Sequence, residues 1–259
     1  MSTLDELLSP AARVALAKAT KLPLSYAARY LLAPATPTTP ARLVVALGEA
    51  HVKLGPASEV GRELVAAFEL RGVETFQSKD VFAGRALSLL IRGPRVVLRA
   101  LSFGTVKGST IYDAKALSSG ATVELERTSH VPFGLHVGSL YLAAFFAAIF
   151  AHAACLLFGA NPPDVIGAIR SWLTALLFVF ELHFPALVVA WWLRRHAWAW
   201  VLHPMLAILT LRDTLLADGT VRMLREHPEA RAALTIMGRG HLLGYERELV
   251  EKHGFVRIG

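Results

Sequence analysis

The sequence predicts an α/β protein with a mostly parallel sheet and flanking helices, interrupted in sequence by a transmembrane helical hairpin. Two observations predict this fold class. Short apolar, strand-like runs alternate with helix-like segments on both sides of the middle of the chain. The middle itself, Thr128 to Pro163, contains no Asp, Glu, Lys or Arg, and a helix that spans a bilayer needs about 20 apolar residues.

The composition favours a membrane protein. Of the 259 residues, 54% are hydrophobic and 18% are charged, whereas a typical soluble domain has about 25% charged residues. So much apolar surface excludes disorder as the main state. The formal charge of +7 fits nucleic acid or an anionic membrane face, and the apolar excess favours the membrane. Cys155 is the one cysteine, which excludes an intrachain disulfide and any Cys-cluster metal site.

Residues 1–40 are predicted to form an amphipathic helical segment and a linker. Leu4 to Leu32 is rich in alanine, is broken near Pro23, and carries scattered basic residues. Such a helix, or helix pair, either rests on a membrane surface or packs against the protein. The proline-rich stretch from Ala33 to Pro40 is predicted to be the linker.

Residues 41–136 are predicted to be the first part of the α/β domain. Arg42 to Leu47 is an apolar, β-branched run typical of a buried strand. Val60, Leu64 and Phe68 recur every four residues, which indicates a helix, and Arg71-Gly72 is expected to close it. The remaining predicted elements are strands at Val73–Phe76 and Ala121–Leu125 and helices at Ala86–Leu101 and Ile111–Ser119.

Residues 137–211 are predicted to form the hairpin and an interfacial helix. Val137–Ala160 and Trp172–Leu193 each have the length of a span, whereas Trp198–Leu211 is too short and is expected at the interface. Arginines flank the outer ends of the pair, and only Arg170 lies in the connection. The positive-inside rule therefore predicts an integral membrane protein with two spans and both termini in the cytoplasm. The alternative is a buried helical subdomain of a soluble protein.

Residues 212–259 are predicted to complete the α/β domain. Arg212–Glu226 has a helical pattern, and Ala232–Met237 is a buried strand. Leu242–His253 is a second helix, and Gly254 is expected at its C′ position. Phe255–Ile258 is predicted to be a final strand.

Two similar motifs are the strongest chemical signal. Gly48-Glu49-Ala50-His51 follows one predicted strand, and Gly238-Arg239-Gly240-His241 follows another. Parallel sheets place functional groups at the carboxyl ends of their strands, so both imidazoles are expected at one edge. Such a short motif is weak by itself, and each histidine could equally be a loop or capping residue. The matched strand–loop–helix setting is what favours a shared site.

A carboxylate and an arginine are expected beside these histidines. Glu74 lies in an apolar predicted strand, where an unpaired charge is costly, although an exposed edge strand would also tolerate it. His51, His241 and Glu74 form a ligand set for a divalent metal, which would make bound water nucleophilic near neutral pH. Mn, Co or Zn are the candidate ions. Arg212 is expected at a helix start, either to stabilise an oxyanion or as a membrane-boundary arginine.

Taken together, the motifs resemble the TraB/PrgY and TIKI family, which is related to the erythromycin-esterase-like and ChaN-like folds. The resemblance covers roughly Arg42–Arg127 and Leu211–Gly259. It rests on the two Gly-x-x-His segments, on Leu211-Arg212-Asp213, and on the run Gly120-Ala121-Thr122-Val123-Glu124-Leu125-Glu126-Arg127. Glu126-Arg127 stands where the family has Asp-Arg, and Glu69 competes with Glu74 for the role of site carboxylate.

The resemblance implies a site and a reaction class. It implies that His51, Glu74, Arg212 and His241 are the active-site residues, and that the protein is a metal-dependent hydrolase acting on peptides. Arg127 and Arg239 are the candidate substrate-binding residues, and Gly48, Gly238 and Gly240 are the motif glycines. The expected partners are membrane lipid and a peptide or small-molecule ligand, with no nucleic acid, and homo-oligomerisation is left open.

Two further functions stay open at this point. In one, the same edge of the sheet binds a peptide or small ligand without cleaving it, and the hairpin acts as an anchor. In the other, the protein is a membrane scaffold or transport accessory that uses Glu181 and His183, since ionisable residues within a span are costly and often functional.

Overall fold

The computed structural model describes residues 6–35, 40–50, 53–77, 79–101, 106–107, 109–158, 167, 171–172, 174, 178–179, 181–193 and 198–258. The chain forms two compact units. The α/β unit comprises Met1–Phe76, Val97–Thr128 and Arg212–Gly259, and the helical unit comprises Gln77–Val96 and Ser129–Leu211. The α/β unit is therefore assembled from three separate stretches of sequence.

The helices and strands of the described residues follow one another along the chain. They are α1 (Pro10–Thr20), β1 (Tyr26–Ala33), β2 (Arg42–Glu49), β3 (Lys53–Leu54), α2 (Gly55–Ala66), β4 (Leu70–Val73), α3 (Gly84–Leu101), β5 (Val106–Lys107), α4 (Thr110–Ala116), β6 (Ala121–Glu124), α5 (Phe133–Phe158), α6 (Phe184–Trp192), α7 (Ala207–Glu226), β7 (Ala232–Gly238), α8 (Leu242–His253) and β8 (Val256–Arg257). Short 3-10 helices lie at Ala199–Val201, Pro204–Leu206 and Arg239–His241.

The α/β unit is built on a six-stranded sheet with the order β6-β4-β7-β2-β1-β8. Strands β6, β4, β7 and β2 are parallel, and β1 pairs antiparallel with both β2 and β8. Strands β3 and β5 form a separate two-stranded ribbon. The prediction of an α/β fold with a mostly parallel sheet and flanking helices is confirmed.

The sheet is covered on both faces, which explains the continuous apolar run in β2. Leu43, Val45 and Leu47 face a core made with α1 and α2, while Val44 and Ala46 face a core made with α7 and α8. All five side chains are completely buried. A central strand buried on both faces has no polar alternation, because both sets of side chains leave water.

The prediction of helix throughout Leu4–Leu32 is wrong in its second half. Helix α1 begins after the N-cap Ser9, whose side chain accepts from Ala12 N, and it ends at Thr20. Tyr26–Ala33 is strand β1, which pairs with β2 over its whole length. Its alanines and leucines are good helix formers, but pairing with the buried strand β2 overrides that local preference.

Arg71 and Gly72 do not close helix α2, which ends at Ala66, but lie within strand β4. The guanidinium of Arg71 is buried and donates to the carbonyls of Val65 (3.1 Å) and Phe68 (3.3 Å), which follow the last turn of α2 or belong to it. The chemistry expected of a basic residue at a helix C-terminus is therefore present. It is supplied from the neighbouring strand, and burial lowers the pKa of this guanidinium.

The C-terminal elements agree closely with their predicted bounds. Helix α8 runs from Leu242 to His253, and Gly254 ends it with a φ of +69°, a left-handed conformation that glycine adopts without strain. Arg212, however, is not at a helix start. Helix α7 begins at Ala207, so Arg212 lies in its second turn.

The helical unit contains the apolar middle of the chain. Helix α5 holds the one segment among the described residues, Phe133–Ala154, that is long and apolar enough to cross a membrane by length and composition. The predicted interfacial segment Trp198–Leu211 is two 3-10 helices and the first turn of α7. The predicted second span, Trp172–Leu193, lies partly outside the described residues, and its described C-terminal part forms α6. Two spans and cytoplasmic termini stay predictions.

Candidate functional site

The carboxyl ends of four parallel strands meet at one edge of the sheet. Val73, the last residue of β4, is paired with Ile236 in β7 and with Glu124 at the end of β6. On the other side of β7, Glu49 at the end of β2 is opposite Gly238. The residues that follow these strands are therefore brought together, as expected for the functional edge of a parallel sheet.

The sequence predicted Glu74 within a strand over Val73–Phe76. In the structure β4 ends at Val73, and Glu74 is the first residue after it. Its backbone N–H still donates to Ile236 O at 2.9 Å, which fixes the direction of the chain. Its side chain is 9% exposed. One carboxylate oxygen, Oε2, accepts from the backbone N–H of Gly238, and Oε1 accepts from Arg212 Nη2 at 2.5 Å. Glu69, the alternative carboxylate, is exposed and precedes β4 at the opposite edge.

Arg212 joins two buried carboxylates. Its Nε donates to Glu126 Oε1, and its Nη2 donates to Glu126 Oε2 at 2.8 Å and to Glu74 Oε1. The guanidinium carbon lies 5.2 Å from the ring centroid of Phe76, which is a cation–π distance. Burial alone would lower the pKa of Arg212, but Glu126 and Glu74 raise it above its ordinary value. Its positive charge is permanent.

His241 is held by a carboxylate from helix α7. Its Nδ1 lies 2.7 Å from Asp213 Oδ1, and both side chains are less than 10% exposed. Its other nitrogen, Nε2, lies 3.8 Å from Glu74 Oε1. A neutral imidazole that donates Nδ1–H to a carboxylate keeps a lone pair on Nε2. The predicted histidine and glutamate are therefore neighbours, and Nε2 of His241 is the nitrogen suited to act as a base or a ligand.

Burial and the neighbouring charges oppose each other at Asp213. Burial raises the pKa of this carboxyl above its ordinary value, although the hydrogen bond and charge of His241 lower it in part. Together with Glu74, Glu126 and Arg212, the cluster holds three carboxylates against one guanidinium. A buried site with more acids than bases favours a cation or a proton in its middle.

A glycine makes room for this arrangement. Gly244 lies in the first turn of α8, and a β-carbon there would approach Asp213 Oδ2 to 1.7 Å. Gly48 is less crowded, because its β-carbon would lie 3.2 Å from the α-carbon of Arg239. The predicted motif glycine Gly48 therefore lies at a tight contact between the end of β2 and the turn that presents His241.

Glu49 fixes the segment that leads to His51. Its side chain is 1% exposed and accepts from the Ser109 hydroxyl and from Thr110 N at 3.0 Å. These donors lie at the start of helix α4, so the carboxylate also complements the helix dipole. His51 itself lies outside the described residues, and its place in the site stays a prediction.

The other predicted residues have different outcomes. Gly238 donates its N–H to Glu74 and is part of the site. Arg239 donates to the carbonyls of Pro23 and Tyr26, so its guanidinium ties down the turn before β1. Arg127 and Gly240 are exposed, and substrate binding by Arg127 stays a prediction.

Sequence reasoning gave Asp213 no chemical role and named Glu126 only where the resembled family has an aspartate. Asp213 was noted as the residue after Arg212, but its partner His241 is 28 positions away. The available signal was an Arg-Asp pair in an otherwise apolar part of α7. Glu126 carries the stronger signal, because it lies two residues after the short strand β6. The structure shows it 3% exposed.

A divalent metal fits part of this donor set. Two ligands of one ion, each about 2.1 Å from it, lie at most about 4.2 Å apart, and His241 Nε2 and Glu74 Oε1 are 3.8 Å apart. The bond from Nδ1 to Asp213 is the outer-shell contact that metal-binding histidines usually make. Among the described residues no three acidic, histidine or cysteine side chains form a metal-binding group, and the predicted third ligand, His51, lies outside them.

The helical unit has its own polar cluster. Tyr141 Oη lies 3.2 Å from His183 Nδ1 and 3.4 Å from His203 Nε2. His203 also caps a 3-10 helix by accepting from Met205 N at 3.3 Å. The backbone donor leaves Nε2 of a neutral His203 as the protonated nitrogen, so His203 donates to Tyr141 and Tyr141 donates to His183. Glu181 is exposed.

Comparisons with protein-family models, with curated proteins and with solved structures find no match to this chain.

Proposed function

We propose that this protein is a membrane-anchored hydrolase that cleaves peptides near the membrane surface. The observation that carries the proposal is the buried pair of Asp213 and His241, whose bond of 2.7 Å leaves His241 Nε2 beside Glu74. A carboxylate that orients an imidazole is the arrangement of a general base or of a metal ligand. The resemblance of the motifs to the TraB/PrgY and TIKI family supports the same reaction class.

In this proposal each residue has a separate task. His241 would offer the lone pair of Nε2 to a divalent ion, and Asp213 holds the ring in the tautomer that leaves this nitrogen free. Arg212 fixes Glu74 and Glu126 and neutralises one of their two negative charges. The N–H of Gly238 orients Glu74 from the opposite side.

The proposed cofactor is a divalent ion, Mn, Co or Zn. His241, Glu74 and His51 would hold it, and it would supply Lewis acidity and acidify a water molecule. The excess of carboxylates in the cluster supports a cation there. Anchoring by the span in α5 rests on its length and composition.

The direct test is peptide cleavage by the full chain in detergent. A mixed peptide library is incubated with the protein plus Mn, Co or Zn, and products are identified by mass spectrometry. We expect His241→Ala and His51→Ala to lower the cleavage rate by 10²-fold or more, and both variants to lose about one bound metal ion per chain.

The chain offers a matched control. His253 in α8 also contacts an aspartate of α7, with Nε2 3.0 Å from Asp218 Oδ1, but Asp218 is exposed. His253→Ala removes the same kind of pair outside the site and is expected to keep full activity and metal content. Saturable peptide binding without any product, in the wild type with every metal, would contradict a hydrolase and favour a binding protein.

A further inference from the structure

Helix α3 is the most unevenly charged element of the chain. Its 18 residues contain four arginines and no acidic residue, together with a large share of leucine, isoleucine and valine. Helices that lie in a membrane interface combine basic and apolar residues in this way. A membrane-binding surface requires, in addition, that the apolar side chains of the helix are exposed to solvent.

Three large apolar side chains on this helix or just before it are exposed. Phe82, Leu89 and Val96 are 67%, 71% and 66% exposed. Leu89 and Val96 are seven residues apart, which is two helical turns and the same side of the helix. Leu87, almost opposite Leu89 around the helix, is 2% exposed. Among the described side chains of α3, that of Leu87 is packed, whereas those of Leu89 and Val96 on the other side are exposed to solvent.

Basic residues repeat at the same interval as the apolar ones. Arg85 and Arg92 follow Phe82 and Leu89 by three residues, and Arg95 comes one turn of helix after Arg92. Positions three residues apart are neighbours on a helix surface, as Leu89 and Arg92 are, whereas Phe82 precedes the helix. The exposed apolar side is therefore bordered by positions that carry positive charge, and Arg85 is itself exposed.

The start of this surface is fixed to the start of the candidate span. Within the helical unit, the backbone N–H of Phe82 donates to His136 Nδ1 at 3.0 Å. His136 lies in the first turn of α5, whose residues Phe133–Ala154 have the length and hydropathy of a membrane span. The end of a span lies at the level of lipid headgroups.

We propose that residues 82–96 dock on an anionic phospholipid surface, with Phe82, Leu89 and Val96 among the acyl chains and the arginines at the headgroups. The inference rests on the membrane anchoring in the proposed function but not on hydrolysis. An acidic protein surface would satisfy the charge. It would not explain why Phe82 is hydrogen-bonded to His136 at the end of the candidate span. This contact between the exposed apolar residues and the span favours lipid.

Anionic lipid is distinguished from neutral lipid by the arginines. Each basic residue near a negatively charged bilayer strengthens binding by about fivefold. Replacing Arg85, Arg92 and Arg95 by glutamine is therefore expected to shift the docking equilibrium by about a hundredfold. At 1 M salt the screening length falls to about 3 Å, so the same preference for anionic lipid should nearly vanish.

The test uses the full chain with Cys155→Ser and Leu89→Cys, labelled with a polarity-sensitive dye and reconstituted into vesicles. Vesicles contain phosphatidylcholine alone or with 30% phosphatidylglycerol. We expect a blue shift of the dye and quenching by acyl-chain spin labels only in the anionic vesicles. A dye at Tyr112→Cys, 62% exposed in the α/β unit, is expected to stay in water in both.

The control for charge is Arg62→Gln, Arg225→Gln and Arg231→Gln, which removes three exposed arginines elsewhere and should leave the dye signal at position 89 unchanged. A dye at position 89 that stays in water in anionic vesicles would overturn the proposal. Equal shielding in neutral vesicles or in detergent would also overturn it and would indicate a protein partner or a second copy. Peptide cleavage in detergent and extraction by alkaline carbonate report separately on hydrolysis and on the span.

Discussion

A β-carbon placed on Gly244 would lie 1.7 Å from Asp213 Oδ2. The glycine is therefore what allows the carboxylate of α7 to reach His241 in the turn before α8. The blocking atom is the far end of a side chain rather than backbone, so the protein can accommodate an added methyl group by moving Asp213. A substitution at position 244 can therefore change the geometry of the site with little effect on the stability of the fold.

We expect Gly244→Ala to keep the stability within about 1 kcal/mol of the wild type, because alanine is favoured over glycine in a helix by a similar amount. Peptide cleavage should nevertheless fall at least tenfold, since His241 loses its orienting partner. Urea unfolding and initial rates measure the two effects. Gly93→Ala, where nothing lies within 4 Å, is the control, and equal activity in both variants would argue against the role of Asp213.

Asp213→Asn should show a stability that depends on pH with a definite sign. Burial raises the pKa of this carboxyl in the folded protein, so on raising the pH from about 3 the unfolded chain loses its proton first. The charged form therefore costs stability above the folded pKa, and asparagine avoids this cost. We expect the free energy of unfolding of Asp213→Asn, relative to wild type, to increase between pH 3 and pH 7. A constant difference would contradict the buried charge.

Replacing Arg212 should show how much the burial of Glu74 and Glu126 depends on its positive charge. Arg212→Met leaves Glu74 and Glu126 buried without their cation, which is expected to cost about 3–5 kcal/mol. The loss should be much smaller in a Glu74→Gln, Glu126→Gln background, because the uncompensated charges are gone. Chemical denaturation of the four proteins measures the coupling, and additive effects would mean that the pairs contribute little.

The buried phenol of Tyr245 should make the stability of the protein fall at alkaline pH. Burial raises its pKa to about 12, so the folded protein keeps the phenol protonated while the unfolded chain ionises near 10. Its contribution is present below pH 10 and is lost between 10 and 12, by about 3 kcal/mol in all.

The free energy of unfolding of Tyr245→Phe is therefore expected to fall less steeply between pH 10 and pH 12 than that of the wild type. At pH 8 it should be less stable by about 1–2 kcal/mol, because Tyr245 shares a hydrogen bond with Thr220 (2.9 Å) and donates to Thr235 (3.2 Å). Urea unfolding at pH 8 and pH 11.5 tests both halves. A wider gap at the higher pH would contradict the assignment.

The parts of the fold that sequence predicted are those decided by local chemistry. Helix α8 was predicted with its bounds because an apolar periodicity ends in a basic residue followed by Gly254. Glu74 was proposed as a site carboxylate because a charge in an apolar run is costly unless it is paired, and the structure places it 3.8 Å from His241 Nε2. Such signals need no knowledge of distant residues.

The parts that sequence missed are decided by distant pairing. Strand β1 looks helical until its antiparallel partner β2 is known. Asp213 has no special local pattern, and its role follows from contact with His241 across two helices. Arg71-Gly72 has the local pattern of a helix end. Arg71 does bind the end of α2, but it does so from strand β4, and that contact cannot be read from the local sequence.

The sheet order has a consequence for synthesis on the ribosome. Strand β7 lies between β4 and β2, yet it is made about 160 residues after β4, on the order of ten seconds or more later at ordinary translation rates. Until then β2 and β4 each lack a partner on the side that β7 will occupy. The nascent chain must therefore keep two apolar strand edges from pairing wrongly while the apolar middle of the sequence is being synthesised.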